Sequence, residues 1–351
     1  MTAGQQTLVC RLEAIHDLRI ETQPVAEPGP GEVLVRMARG GICGSDLHYF
    51  HNGGFGAVRL RQPMILGHEI SGYVEAVGPG VEGLRPGLLV AVNPSHPCGH
   101  CAACLGGEHQ HCTDMRFLGS AARMPHIQGA FRERMVVGAA QCLVMPGDVT
   151  PAEAACAEPL AVCLHALAQA GSVAGKRVLV TGSGPIGVLA VAAARLDGAV
   201  EILATDVEDA ALAVAARMGA TRTLNVGQGS AGDASAERGR FDVAFECSGR
   251  QSALAFALDS LRPRGTLVQI GLSTEVTLPL SVLVTREIAL KGTFRFNTEF
   301  DRAGQLIASR QIDVRPMITA AYPLADAVEA FRAASDRSRS CKVQLELTDH
   351  G

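Results

Sequence analysis

The sequence predicts an α/β chain in two parts, an irregular β domain and then a domain built on a parallel sheet. Three observations lead there. At 351 residues the chain is longer than one compact core usually serves, so two domains are expected. Up to about residue 158 it is rich in Gly, Pro and short β-prone runs. From Lys176 onward, strand-length apolar runs alternate with Ala-rich stretches of helical length, the pattern of βαβ units.

In chain order, 32–36 (EVLVR) and 72–77 (GYVEAV) are short strands of the first part. Residues 178–181 form an apolar strand, a Gly-rich turn follows, and 186–196 is helical. A strand at 201–205 and a helix at 210–218 repeat the unit. Strands at 242–246 and 266–270 come next, with a helix at 253–261 between them. A further strand near 278–284 is an expected contact between subunits. From about Asn297 the chain turns mixed, ends in the strand 342–346 (KVQLE), and is expected to fold back on the first domain.

Composition narrows the function classes. Hydrophobic residues at 47% supply a sizeable interior, and 19% charged residues without polar low-complexity tracts argue against disorder. A formal net charge of -4 gives no basis for a nucleic-acid partner. The basic stretch 332–339 is short, is broken by Asp336, and reads as solvated surface. No signal peptide is evident at the N-terminus, and the longest uncharged run carries Gly182, Gly184, Pro185 and Gly187 in its middle, so no membrane helix is expected. A cytoplasmic protein is the expectation. Eleven cysteines in a reducing compartment then point to metal rather than disulfides.

Gly182-Ser-Gly-Pro185-Ile186-Gly187 is GxGxxG, a weak motif alone, but it follows a strand and opens a helix. There the first glycine permits the turn, the second lets phosphates approach the backbone, and the third lets helix and strand pack closely. An acidic residue is expected about 20 residues on, at the end of the second strand, and Asp206 stands there. A carboxylate accepts the ribose hydroxyls and repels a 2′-phosphate. No Arg follows Asp206 closely, so NAD is expected over NADP. Ser248 and Gly271 are placed with the same cofactor site.

Two metal sites are expected. Cys98, Cys101, Cys104 and Cys112 form C-x2-C-x2-C-x7-C, which suits a closed, structural zinc shell. An iron–sulfur cluster can share the first three spacings, but the fourth cysteine with no following Pro favours zinc. His100, His109 and His111 in that lobe read as surface. Dispersed along the chain, Cys43, His68, Glu69 and Glu158 offer a thiolate, an imidazole and two carboxylates. Singly these are a buried cysteine, a satisfied histidine and a capping glutamate; together they suit a catalytic zinc with one position open.

The pieces GICGSDLH, LGHE, the four-cysteine lobe, AEPLAV and GSGPIG, in that order, resemble the zinc-containing medium-chain alcohol dehydrogenase family over essentially the whole chain. That resemblance implies a GroES-like irregular β catalytic domain over 1–160, with the zinc lobe at about 95–115. It further implies a Rossmann doubly wound parallel-sheet domain over 161–296 and a return to the first domain over 297–351. Cys43, His68 and Glu69 would bind the catalytic zinc, with Glu158 ligating it or holding its water. Two zinc ions per subunit follow. Ser45 and His48 match the proton-relay positions, Asp46 the residue orienting the histidine, and Tyr49, Phe117 and Arg295 the pocket wall.

Within the family the chain looks like the polyol branch, and GTFRFNTEF and the stretch after Cys112 look like its L-idonate-oxidising members. The implied reaction is hydride transfer from C5 of L-idonate to NAD, reversibly giving 5-keto-D-gluconate. A sugar acid needs a cation, and Arg116, Arg123 and Arg295 are candidates, the first two reading nearly equally as surface and the third shared with polyol enzymes, so that it does not discriminate alone. A general polyol dehydrogenase acting on sorbitol or xylitol is the alternative. A non-catalytic NAD-binding relative is disfavoured because the ligand and relay residues are intact. A homo-oligomer, dimer or tetramer, is expected.

Overall fold

The computed structural model describes residues 6–227, 235–272 and 275–348. A seven-stranded sheet organises the first part. Its path runs Cys142–Val144, Leu89–Val92, Glu69–Val77, Glu32–Gly41, Lys342–Glu346, Ile318–Pro323, with Arg134–Gly138 also paired to Glu32–Gly41. The C-terminal strand Lys342–Glu346 thus lies inside this sheet, between Glu32–Gly41 from the first part of the chain and Ile318–Pro323 from the last. It pairs antiparallel with Glu32–Gly41 and parallel with Ile318–Pro323.

A second sheet has six strands, all parallel, in the spatial order Arg222–Asn225, Glu201–Asp206, Arg177–Thr181, Phe241–Glu246, Leu261–Gln269, Ala289–Gly292. Taken in chain order these are strands 3-2-1-4-5-6, the doubly wound arrangement, which opens a crevice at the carboxyl ends of the first and fourth strands. Helices Pro185–Leu196 and Asp209–Met218 start close to the expected positions.

Two expectations change. Leu261 leaves the helix, which spans Gln251–Ser260, and opens the next strand. The run 278–284 is not a strand: Pro279 stands at the N-cap of the short helix Leu280–Thr285, and the sheet edge falls to Ala289–Gly292. A β-branched apolar run reads as a strand by propensity, but Pro fixes its own φ and donates no N–H, so it suits a helix start.

One apolar cluster joins the two sheets. It runs from Leu89 on the first and Met145 just past its strand Cys142–Val144, through Leu160 and Leu164 of helix Ala157–Ala170, to Val180, Val188 and Val243 around the second. Each such side chain, once buried, stabilises by roughly 1.5–3 kcal/mol. The cleft between the sheets therefore has a packed floor, and residues from both sides face each other across it.

Candidate active site

The cleft has a volume of about 630 Å³ and is lined from both sides. Helix Gly44–Asn52 forms one wall. Cys43 is its N-cap, and Gly53 ends it in the left-handed region, φ 65°, with its N–H donating to the carbonyls of His48 and Tyr49. Ser45 and His48 lie three apart on this helix, hence on one face, and both line the cleft. Asp46, on the buried face, accepts from Cys43 N–H at 3.0 Å and from Gly67 N–H at 3.3 Å. Its Oδ1 also lies 3.7 Å from Nδ1 of His68. One carboxylate thereby fixes the loop carrying the cysteine and the loop carrying the histidine.

Ligand atoms of Cys43, His68 and Glu69 all lie within 4.8 Å of one another. Nδ1 of His68 is buried with no hydrogen-bond partner and is the ring nitrogen nearest Asp46, which leaves Nε2 for a cation. This donor set, one thiol, one imidazole and one carboxylate in a cleft, fits a catalytic zinc. Glu158, in the first turn of helix Ala157–Ala170, is buried and lines the same cleft. Burial pushes its carboxyl up to about 8; the nearby His68 opposes the rise, and Glu69 and Cys43 add to it.

A residue that sequence reasoning missed completes this centre. Lys342, buried, donates from Nζ to both carboxylate oxygens of Glu69, at 2.7 and 2.6 Å, and to the Ile42 carbonyl at 3.1 Å. Burial alone would lower its ammonium, but the Glu69 and Cys43 charges beside it more than offset that and raise it. Gly41 makes room for the pair, since a Cβ there would stand 2.1 Å from Oε2 of Glu69. Sequence separation hid the contact. The sequence showed only a Lys opening the strand-like run 342–346.

The four-cysteine lobe is gathered as the spacing predicts. All four sulfurs lie within 4.8 Å of one another. Backbone N–H groups point at them: Cys98 N–H donates to Cys112 Sγ at 3.2 Å, Cys101 N–H to Cys98 Sγ at 3.4 Å, and Asp114 N–H to Cys112 Sγ at 3.3 Å. Such donors stabilise thiolates. The backbone hydrogen bonds at Cys101 hold that thiol well below the ordinary thiol range. Four thiolates this close repel one another unless a cation sits among them, so the lobe fits a closed zinc shell.

On the opposite wall, Gly182, Gly184, Pro185, Ile186 and Gly187 line the cleft together with Ser248 and Gly271. A Cβ on Gly187 would lie 1.8 Å from the Gly182 carbonyl oxygen, so only glycine lets the helix close on the turn. Asp206 ends its strand, buried, and accepts from Ser183 N–H at 2.7 Å and Val207 N–H at 2.8 Å. A second unforeseen residue meets it here: Arg337 donates from Nη2 to Asp206 Oδ2 at 2.8 Å and lines the cleft. The 332–339 stretch is therefore not simply solvated surface.

The candidates for substrate contact divide. Tyr49, Phe117 and Arg295 all line the cleft. The Arg295 guanidinium lies 4.0 Å from the Phe117 ring centre, and Tyr49 OH accepts from Ala121 N–H at 3.0 Å. Burial lowers Arg295 to about 10, with Glu158 and Tyr49 opposing the fall. Arg116 does not join them. In the two-residue strand Arg116–Phe117 neighbouring side chains point to opposite faces, so the buried Phe117 sends Arg116 outward. With Arg123 it lines a different cavity of about 960 Å³ on the first domain. Arg123 is further tied up by the Asp114 carbonyl and carboxylate.

Comparison with known proteins gives the family and the fold. The model of an alcohol dehydrogenase GroES-like domain matches residues 29–147, and that of a zinc-binding dehydrogenase matches residues 185–309. L-idonate 5-dehydrogenase (NAD(P)(+)) of Escherichia coli strain K12 is 43% identical over 313 residues, covering 89% of this chain and 91% of that protein. Sorbitol dehydrogenase of Gallus gallus is 36% identical over 352 residues, covering 99% of this chain and 98% of its own. The crystal structure of the Escherichia coli L-idonate enzyme superposes with a TM-score of 0.92 at 40% identity, over 97% of this chain and 98% of that one.

Proposed function

The chain belongs to the zinc-dependent medium-chain dehydrogenase family, and from that premise we propose that it oxidises L-idonate at C5 to 5-keto-D-gluconate, reversibly, with NAD as hydride acceptor. The greater identity to L-idonate 5-dehydrogenase than to sorbitol dehydrogenase carries the choice of a sugar acid, and a cation in the cleft is compatible with it. Arg295 is a half-buried cation in the cleft, stacked on Phe117, and no carboxylate among the described residues forms an ion pair with it. Its donors are free for a substrate carboxylate, which a neutral polyol lacks.

Zinc held by Cys43, His68 and Glu69, with Glu158 as a further ligand or a carboxylate beside the open position, would supply Lewis-acid activation of the hydroxyl, and NAD would accept the hydride. The chain's own residues do the rest. Asp46 holds the Cys43 and His68 loops in register. Lys342 keeps Glu69 turned toward the thiol and imidazole. Ser45 and His48, on one helix face, offer a route by which the hydroxyl proton leaves a closed cleft. Burial, and after it Arg250, lowers His48, which helps the ring give up a proton to solvent. The carboxylate of Asp206 stands at the strand end where a dinucleotide's ribose is read, and supports NAD over NADP. The four cysteines of the lobe would hold a second, structural zinc.

We further place the protein in the cytoplasm as a homo-oligomer. None of the eleven cysteines is paired in a disulfide, which suits a reducing compartment. The second sheet's edge strand and the helix before it leave Leu280, Val284 and Leu290 exposed, which suits contact with a second copy. No helix among the described residues is long and apolar enough to cross a membrane.

A substrate panel tests the proposal. Purified protein with NAD should give a higher kcat/KM for L-idonate than for sorbitol or xylitol. A higher value for either neutral polyol would assign it to general polyol oxidation instead.

A further inference from the structure

Arg337 lies between helix Ala327–Ser335 and strand Lys342–Glu346, in the segment that rejoins the first sheet. From there it reaches across the cleft to the second sheet. Its Nη2 donates to Oδ2 of Asp206 at 2.8 Å, and the same atom stands 3.6 Å from where a Cβ on Gly184 would be. The guanidinium thus sits over the glycine turn and against the carboxylate assigned above to the ribose. The two partners differ in freedom: the Asp206 side chain is 4% exposed and the Arg337 side chain 49%.

Asp206 is pinned by its neighbours. Oδ1 accepts from the N–H groups of Val207 at 2.8 Å and Glu208 at 3.2 Å, and Oδ2 from Ser183 N–H at 2.7 Å. It cannot turn away from an incoming phosphate. Left alone, that fixed carboxylate would repel a 2′-phosphate. Arg337 cancels its charge. Being planar, with five donors, its guanidinium can also hold Asp206 on one edge and present the other to a phosphate.

We propose that Arg337 sets the cofactor range, neutralising Asp206 and supplying the cation a 2′-phosphate needs, so that the site binds NADP as well as NAD. This rests on the dinucleotide reading above and softens its preference for NAD into tolerance of both.

Binding measured on the whole zinc-loaded protein tests it without turnover. The probes are NADH against NADPH, and 5′-AMP against 2′,5′-ADP, each pair differing only in the 2′-phosphate. The wild type should bind the two members of each pair within about tenfold. Arg337→Gln should weaken NADPH and 2′,5′-ADP at least tenfold while changing NADH and 5′-AMP less than threefold. Arg337→Lys should keep NADPH within about threefold of wild type. Equal losses for both members of a pair would overturn the inference, because Arg337 would then serve the pyrophosphate or the contact between domains. So would a wild type that excludes 2′,5′-ADP a hundredfold. A wild type that binds neither NADH nor 5′-AMP would instead sink the dinucleotide reading itself, and the inference with it.

Discussion

Replacing Asp46 by Ala should unbuild the catalytic centre while leaving the rest of the chain folded. Asp46 is wholly buried and accepts from two backbone donors, Cys43 N–H and Gly67 N–H. A buried donor left without a partner costs about 1–3 kcal/mol, so the two together cost about 2–6 kcal/mol. An opposing effect exists. Burial raises the Asp46 carboxyl, so the protein already bears a cost for holding that charge, and removing it returns part of the loss. Asp46→Asn separates the contributions. Its single carbonyl oxygen can satisfy one donor and its amide nitrogen neither, so about half the loss is expected, with no buried charge. Zinc content is the discriminating assay. Metal analysis after dialysis should fall from two zinc ions per subunit to one in Asp46→Ala, because Cys98, Cys101, Cys104 and Cys112 do not depend on Asp46. The unfolding midpoint in denaturant should fall with it. Two retained zinc ions together with an unshifted midpoint would refute the reasoning, since the loops would then hold their geometry without the carboxylate.

Other expectations follow from single contacts. Cys104→Ser should lose the other metal, giving one zinc per subunit and a lower unfolding midpoint, checked by the same metal analysis. Ser45→Ala should cut turnover at least tenfold with both zinc ions retained; full turnover would remove Ser45 from the proton route. Lys342→Met should destabilise the metal-stripped protein by about 3–5 kcal/mol, because Glu69 is left buried without its partner. Adding Glu69→Gln should recover much of that loss in denaturant melts. Arg116→Ala should leave KM for L-idonate within about twofold of wild type, whereas Arg295→Gln should raise it at least tenfold, in steady-state assays.

What was legible in the sequence was whatever the local backbone accomplishes alone. The glycine turn needs only a strand before it and a helix after it, and both are visible as apolar runs. The four cysteines close on one another within a single loop, so spacing predicts their meeting. Cys43, Ser45, Asp46 and His48 share one helix and its cap, and their mutual placement follows from helical geometry. Arg116 could have been set aside on the same grounds. It precedes Phe117 in an extended segment, and alternation sends the two side chains to opposite faces.

Contacts that close long loops left no such trace. Lys342 meets Glu69 across 273 residues and Arg337 meets Asp206 across 131. In both cases a cation from the C-terminal segment answers a carboxylate that the motifs had already singled out. Glu69 was read as a ligand and Asp206 as a ribose acceptor, and each was treated as if its charge stood alone. Yet a carboxylate seldom lies buried without compensation, so two buried acids should have prompted a search for two cations. The return of strand Lys342–Glu346 to the first sheet, beside Glu32–Gly41, is what delivers both. It brings Lys342 to the metal side of the cleft and, through the preceding turn, Arg337 to the dinucleotide side. The C-terminal segment therefore does more than complete a sheet: it sets the charge that each half of the site presents to what it binds.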